Sequence, residues 1–253
     1  MMEMNNALFE YCLRLGDSSL ILGHRLSEWC GHGPVLEQDI ALTNVALDLV
    51  GQATLFMEYA SELEGKGRSA DDLAFLRDTT QFRNALITEQ PNGDFGATIL
   101  RQFFFDAHHF YLFTALKNST DARIASIAEK SLKEITYHLR HSSEWVLRLG
   151  DGTEESHQRM QNALSDLWDY TGDLFSMNKA DEILIKEGIG VDQNSIKAEW
   201  DKTVRQVLEK ATLTLPGTTF MQSGSLEGKH TEHLGYLLAE MQFLPRAYPG
   251  AKW

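Results

Sequence analysis

Apolar positions recur along this chain three or four apart, and no convincing run of alternating β-branched residues interrupts them. The pattern predicts a first helix over 6–30, stopped by Gly31-His32-Gly33-Pro34, and a second over 35–63, stopped by Gly65-Lys66-Gly67. A shorter helix is expected over 71–77, with another short helical stretch near Asn84. The turn Gln90-Pro91-Asn92-Gly93 precedes a third long helix over 94–117. Asp121, as an N-cap, opens a fourth that ends at Gly150-Asp151-Gly152. Thr153, followed by Glu154 and Glu155, opens a fifth that runs to Phe175. Helices over 179–187, 195–212 and 231–244 follow, the last with Pro245 and Pro249 behind it. Residues 214–229 carry three glycines and no periodicity, the mark of a functional loop or interaction arm. No low-complexity linker divides the chain, so one all-α domain over 1–253 is expected.

Each of the four longest segments sets one acid on an apolar face: Asp17, Asp48, Asp106 and Glu134. Asp17 has Leu13, Leu20 and Ile21 at helical offsets, Asp48 has Val45 and Leu55, and Asp106 has Phe103, Phe110 and Phe113. Asp17 and Asp48 stand 31 residues apart and Asp106 and Glu134 28, the spacing of antiparallel helix pairs joined by short loops. This is the layout of a carboxylate-bridged di-iron bundle, in which two of the four acids belong to Glu-x-x-His turns. Here the nitrogen ligands are missing: Gly51 follows Asp48 by three residues and Tyr137 follows Glu134 by three. His109 and His138 are the bases available to the acids, and the plain alternative is that some acids face solvent or pair singly with a base. Two literal Glu-x-x-His matches, Glu154 to His157 and Glu227 to His230, fall in a helix's opening turn and in the glycine-rich segment, so both read as coincidence. In His230-Thr231-Glu232-His233, Thr231 reads as a helix cap and the histidines as surface or interface groups.

A net charge of −13, from 23 basic and 36 acidic side chains, disfavours nucleic acid and anionic membrane as partners. The start of the chain lacks the basic segment of a signal peptide. The most apolar stretch, residues 99–116, is broken by Arg101, Asp106, His108 and His109, against a membrane span. Cys12 and Cys30 are too far apart on one helix to be bridged, which fits a reducing cytoplasmic setting. No phosphate-binding glycine loop occurs, neither cysteine has an activating base, and the cluster Phe103-Phe104-Phe105 reads as core.

Several ordered strings carry a family resemblance. They are Leu13-Arg14-Leu15-Gly16-Asp17, Glu28-Trp29-Cys30-Gly31-His32, Asp39-Ile40-Ala41-Leu42-Thr43-Asn44 and Leu47-Asp48-Leu49-Val50-Gly51-Gln52-Ala53. Further along come Glu89-Gln90-Pro91-Asn92-Gly93, Tyr137-His138-Leu139-Arg140, His230-Thr231-Glu232-His233-Leu234-Gly235 and Glu240-Met241-Gln242. Over essentially its whole length the chain resembles the structural (PaaC-type) subunits of the multicomponent phenylacetyl-CoA epoxidase. The resemblance implies a ferritin-like four-helix bundle with additional helices and a role in aerobic phenylacetate breakdown. It implies a homologous catalytic subunit as partner, holding the di-iron centre and the acyl-CoA, with further subunits beside it. A separate reductase with FAD and an iron–sulfur cluster would supply electrons from NADPH. The chain itself would then have no catalytic, cofactor-binding or metal residue. Asp17, Asp48, Asp106, His109, Glu134, Tyr137 and His138 would be degenerate positions of a lost di-iron site. The competing expectations are a ferritin-like oxidase with an irregular iron site of Asp106, His109, Glu134 and His138, and a helical binding module independent of the epoxidase.

Overall fold

The computed structural model describes residues 2–217 and 220–251, which form helices and connections with no strand among them. Four long helices dominate: α1 (Met2–Ser27), α2 (Leu36–Glu64), α4 (Phe95–Leu116) and α5 (Ala122–Gly150). Between α2 and α4 runs a crossover that holds α3 (Ala70–Phe75) and two 3₁₀ turns, Thr79–Gln81 and Leu86–Glu89. The long helices pack as two antiparallel pairs, α1 with α2 and α4 with α5, and α2 also touches α5. This ferritin-like arrangement needs one long crossover, and residues 65–94 supply it.

Local signals set the helix ends. Asp121 accepts from the amides of Arg123 and Ile124, Asp94 accepts from Ala97, and Thr153 accepts from Ser156. Gly65 closes α2 in the left-handed conformation (φ 65°) that a side chain would resist. The α1–α2 contact is close because glycines line it: a Cβ added at Gly16 would stand 3.2 Å from Met57 Cγ, and one at Gly23 3.2 Å from Val50 Cγ2. Phe103, Phe104, Phe105 and Phe113 of α4 are fully buried, as the sequence implied for this cluster. Phe104 packs against Trp168 and Trp200, and its carbonyl accepts from Trp200 Nε1 at 3.0 Å.

The remaining elements are α6 (Glu154–Leu167), α7 (Lys179–Lys186), α8 (Gln193–Lys210), α9 (Glu232–Met241) and α10 (Phe243–Ala247). Several differ from the sequence expectation. The fifth helix tightens to 3₁₀ at Trp168–Phe175 instead of continuing as α. Pro245 lies inside α10, in a first turn where its missing N–H costs no hydrogen bond. Residues 220–229 are laid on their own chain: Gln222 N donates to the Asp169 carbonyl, and Ser225 is buried. Thr218 and Thr219, within the expected arm, lie outside the described residues, as do Lys252 and Trp253. Among the described residues α2, not the α4 stretch, is the one helix long and apolar enough to cross a membrane by length and composition, and half of its apolar window is buried.

Candidate functional site

The four acids do not converge. Asp17 is fully buried and turns toward the crossover, where Arg77 grips both its carboxylate oxygens (Nη1 to Oδ2 at 3.0 Å) and the Arg83 amide donates to it at 2.9 Å. The Arg77 guanidinium lies 4.2 Å from the centroid of the Phe82 ring, so its planar face is covered as well.

The other three acids share the α2–α4–α5 side of the bundle, each with its own partner. Asp48 faces His138 Nε2 at 3.0 Å, so one of the two histidines singled out from the sequence does partner an acid. Glu134 accepts from Gln52 Nε2 at 3.0 Å. Asp106 accepts from Gln102 Nε2 at 2.6 Å and from Ser142 Oγ at 2.8 Å. Helical spacing positions these partners: Gln52 lies one turn after Asp48, Gln102 one turn before Asp106, and Ser142 one turn after His138. That spacing is visible in the sequence. Tyr137, which stands where a ligand would follow Glu134, points outward and is 43% exposed.

His109 departs from the role of internal base. Its ring is stacked between Phe105 (centroids 3.7 Å apart) and Phe113 (5.2 Å). Its Nδ1 stands against His108 Nδ1 at 3.4 Å, and no acid of the four reaches it. Burial, with His108 and His138 nearby, holds it well below the ordinary histidine range, so it is neutral at pH 7. His108 is pushed down to about 4, chiefly by burial, and its Nε2–H donates to Gln193 Oε1 at 2.9 Å.

Asp106 is 1% exposed, and burial pushes its pKa up to about 6 against the opposing effects of His138, Ser142 and Gln102. Raising an acid's folded pKa means that the folded state holds the proton more tightly. The associated stability is present below pH 3.8 and is lost as pH rises through about 6. Above that, the buried carboxylate costs on the order of 3 kcal/mol, two pK units at 1.36 kcal/mol each. Asp106→Asn is therefore expected to stabilise the fold by about 1–3 kcal/mol at pH 8 and to be neutral or worse at pH 4. The side-chain oxygen of Gln102 has no partner, so a turned amide can meet the new NH₂ group. Urea unfolding at the two pH values measures this, and a loss at pH 8 would contradict it.

A second buried polar cluster, missed in the sequence, joins the crossover to the segment before α9. Glu89 is fully buried and accepts from Asn84 Nδ2 (2.9 Å), His230 Nδ1 (2.8 Å), Thr231 N (2.6 Å) and Thr231 Oγ (2.8 Å). His230 Nε2 faces the Phe82 carbonyl at 3.0 Å, so both ring nitrogens meet acceptors and the ring is held as imidazolium. Burial opposes that charge, but Glu89, the Phe82 carbonyl and Asp17 outweigh it and raise the pKa above 6.5. His230 is thus a buried ionic partner, not a surface or interface group. Thr231 precedes α9, but its hydroxyl serves Glu89 and makes no cap hydrogen bond. His157 has a local role, with Nδ1 against the Gly150 carbonyl at 2.8 Å.

Among the described residues, no group of three or more His, Cys, Asp or Glu side chains is placed to hold a metal ion. The donors left around Asp106 are an amide and a hydroxyl, poor iron ligands, and Asp17 is sequestered by a guanidinium. The residues present do not fit a di-iron centre, and the arrangement instead gives each acid its own hydrogen-bond partner.

The chain is similar to the C subunit of the 1,2-phenylacetyl-CoA epoxidase of Escherichia coli (strain K12). The two are 50% identical over 248 residues, which covers 98% of this chain and 100% of that protein. The profile of the phenylacetic acid catabolic protein family matches residues 1–253. The chain belongs to the phenylacetic acid catabolic protein family.

Proposed function

We propose that this chain is the structural subunit of a phenylacetyl-CoA epoxidase complex acting in the cytoplasm in aerobic phenylacetate breakdown. It scaffolds a homologous catalytic subunit and performs no oxidation itself. In this reading the di-iron centre belongs to that partner, and FAD, the iron–sulfur cluster and NADPH belong to a reductase. The name of the Escherichia coli relative supports membership in such a complex. The observation that supports a non-catalytic role most strongly is that Asp17, Asp48, Asp106 and Glu134 each have a separate hydrogen-bonding partner, respectively Arg77, His138, Gln102 with Ser142, and Gln52.

What the chain contributes is a rigid bundle. The positions that would hold ligands are filled by internal hydrogen bonds, so the helices hold their spacing without a metal. The rival reading, an oxidase with Asp106, His109, Glu134 and His138 as iron ligands, is disfavoured because His109 is locked between two phenyl rings and His138 serves Asp48. The test is reconstitution. The purified chain alone is expected to bind well under one iron per molecule and to form no epoxide, whereas adding it to the catalytic subunit with reductase restores epoxide formation. Near-stoichiometric iron with dioxygen consumption by the lone chain would overturn the proposal.

A further inference from the structure

α1 and α4 make little direct contact, and a cavity lies between them beneath residues 225 and 226. Measured over the positions that the centre of a water molecule can take, its volume is about 30 Å³. A second cavity of about 10 Å³ adjoins it, and Arg14, Arg83 and Leu226 line both. Tyr11 and Arg14, three residues apart on one face of α1, border the smaller space. Glu10, half-exposed, marks its solvent side.

Four residues on these walls each carry a buried polar atom without a hydrogen bond of normal geometry: Tyr11 Oη, Arg83 Nε, Asp173 Oδ1 and His109 Nε2. Arg83 Nε stands 3.8 Å from the Glu10 carboxylate, too far to donate to it. Asp173 Oδ2 accepts from the Leu86 amide at 3.0 Å, and Oδ1 is left over. Burial raises the pKa of this carboxyl against the Leu86, Ser225 and Gly224 donors around it. His109 is the clearest case. His108 Nε2–H donates to Gln193 Oε1, so His108 Nδ1 is a bare acceptor, and the proton between the two rings belongs to His109 Nδ1. A neutral ring carries one proton, which leaves His109 Nε2 as a buried lone pair. Such an acceptor is costly to leave unmet.

The unmet atoms select the occupant. A cation could meet Asp173 Oδ1 and His109 Nε2 but not the Arg83 N–H, and among the described residues no three His, Cys, Asp or Glu side chains gather to hold one. An anion could meet the N–H but not the two acceptors. Water donates and accepts at once. Each buried water needs about 10–15 Å³ of such space, so about two fit the larger cavity and one the smaller. We propose that the two cavities hold a buried chain of about three ordered waters, running from the Glu10 side of α1 to the His109 imidazole and sealed by Leu226. The waters tie α1, the crossover, α4 and the Trp168–Phe175 turn together through shared hydrogen bonds. Residues 220–229 thereby gain a task, since Leu226 borders both cavities and keeps the chain from exchanging with solvent.

The first test is a crystal structure of the full chain at a resolution that shows ordered water. Water is expected within hydrogen-bonding distance of His109 Nε2, Asp173 Oδ1 and Arg83 Nε. Crystals of the same protein under xenon pressure should hold no xenon there, because a dry apolar cavity takes up the gas and a wet polar one does not. Xenon in the larger cavity, or a protein side chain found bonded to His109 Nε2, overturns the proposal. Nitrogen-15 histidine spectra of the wild-type chain at pH 7 give an independent reading. They should show His109 with its proton on Nδ1 and a bare Nε2, and a proton on Nε2 would overturn the assignment. Leu226→Ala, at a half-buried position, tests the seal. Oxygen-17 relaxation dispersion, which registers only long-lived waters, should lose the contribution of about three of them in this variant, with circular dichroism unchanged. An undiminished signal in a folded Leu226→Ala chain overturns the sealing role, and a variant that does not fold leaves the wild-type crystal and nitrogen-15 results to decide.

Discussion

Arg77→Met is expected to remove about 3–5 kcal/mol of stability, because it leaves the Asp17 carboxylate buried with its charge unpaired. The side chains of Arg77 and Asp17 are 2% and 0% exposed, so water cannot replace the lost partner. Only the Arg83 amide, at 2.9 Å, would still donate to Asp17. The guanidinium also donates to the Gln81 carbonyl at 3.0 Å and to the Leu73 carbonyl, so the whole start of the crossover loosens with it. Replacing both partners, Asp17→Leu with Arg77→Met, should recover most of the loss, since an apolar pair of similar volume avoids burying charge. The Arg83 amide would then lack its acceptor and the Gln81 and Leu73 carbonyls their guanidinium donor, which together leave a deficit of about 1–3 kcal/mol. Urea unfolding of the two single variants and the double completes a mutant cycle. A single-variant loss below about 1 kcal/mol would mean that the pair is not buried in solution.

Glu89→Gln should cost about 3 kcal/mol at pH 6, because a carboxylate accepting from four donors becomes an amide whose NH₂ faces some of them. The loss depends on pH through His230. Its folded pKa is raised, so its contribution is fully present below the unfolded value of 6.5 and is lost as pH rises through the folded value. Wild-type stability should therefore fall across that window, and Glu89→Gln should flatten the fall. Equilibrium unfolding between pH 6 and 9 compares the two slopes. Parallel curves would show that His230 is not charged against Glu89.

The long helices were legible because periodicity and caps are local. Asp121, Thr153 and Gly65 sit within a residue or two of the ends they set, and the apolar flanks of Asp106 mark a buried position. Partner choice was less legible. Gln102 and Ser142 lie one helical turn from residues already singled out, so spacing alone contained them. Arg77, Glu89 and His230 come from irregular connections, where sequence distance says nothing about spatial distance, and their pairing depends on how the crossover folds back. His109 misled for a related reason. Its spacing from Asp106 suits a ligand pair, but the flanking phenylalanines at 105 and 113, one turn away on either side, claim its ring. The tightening at Trp168–Phe175 left no compositional mark.

The Glu89 cluster also bears on how the chain is made. It stitches residues 84–89 to residues 230–231, segments separated by most of the bundle's length in sequence. During synthesis the four long helices emerge and can pair well before Thr231 does. Until then the Glu89 carboxylate has no imidazolium to meet, and the far end of the crossover is held by other contacts, among them Arg25 on the Glu89 carbonyl. This latch can close only once the carboxyl-terminal side has been made, and a nascent or clipped product that stops short of it would be a bundle whose longest connection lacks one of its buried fastenings.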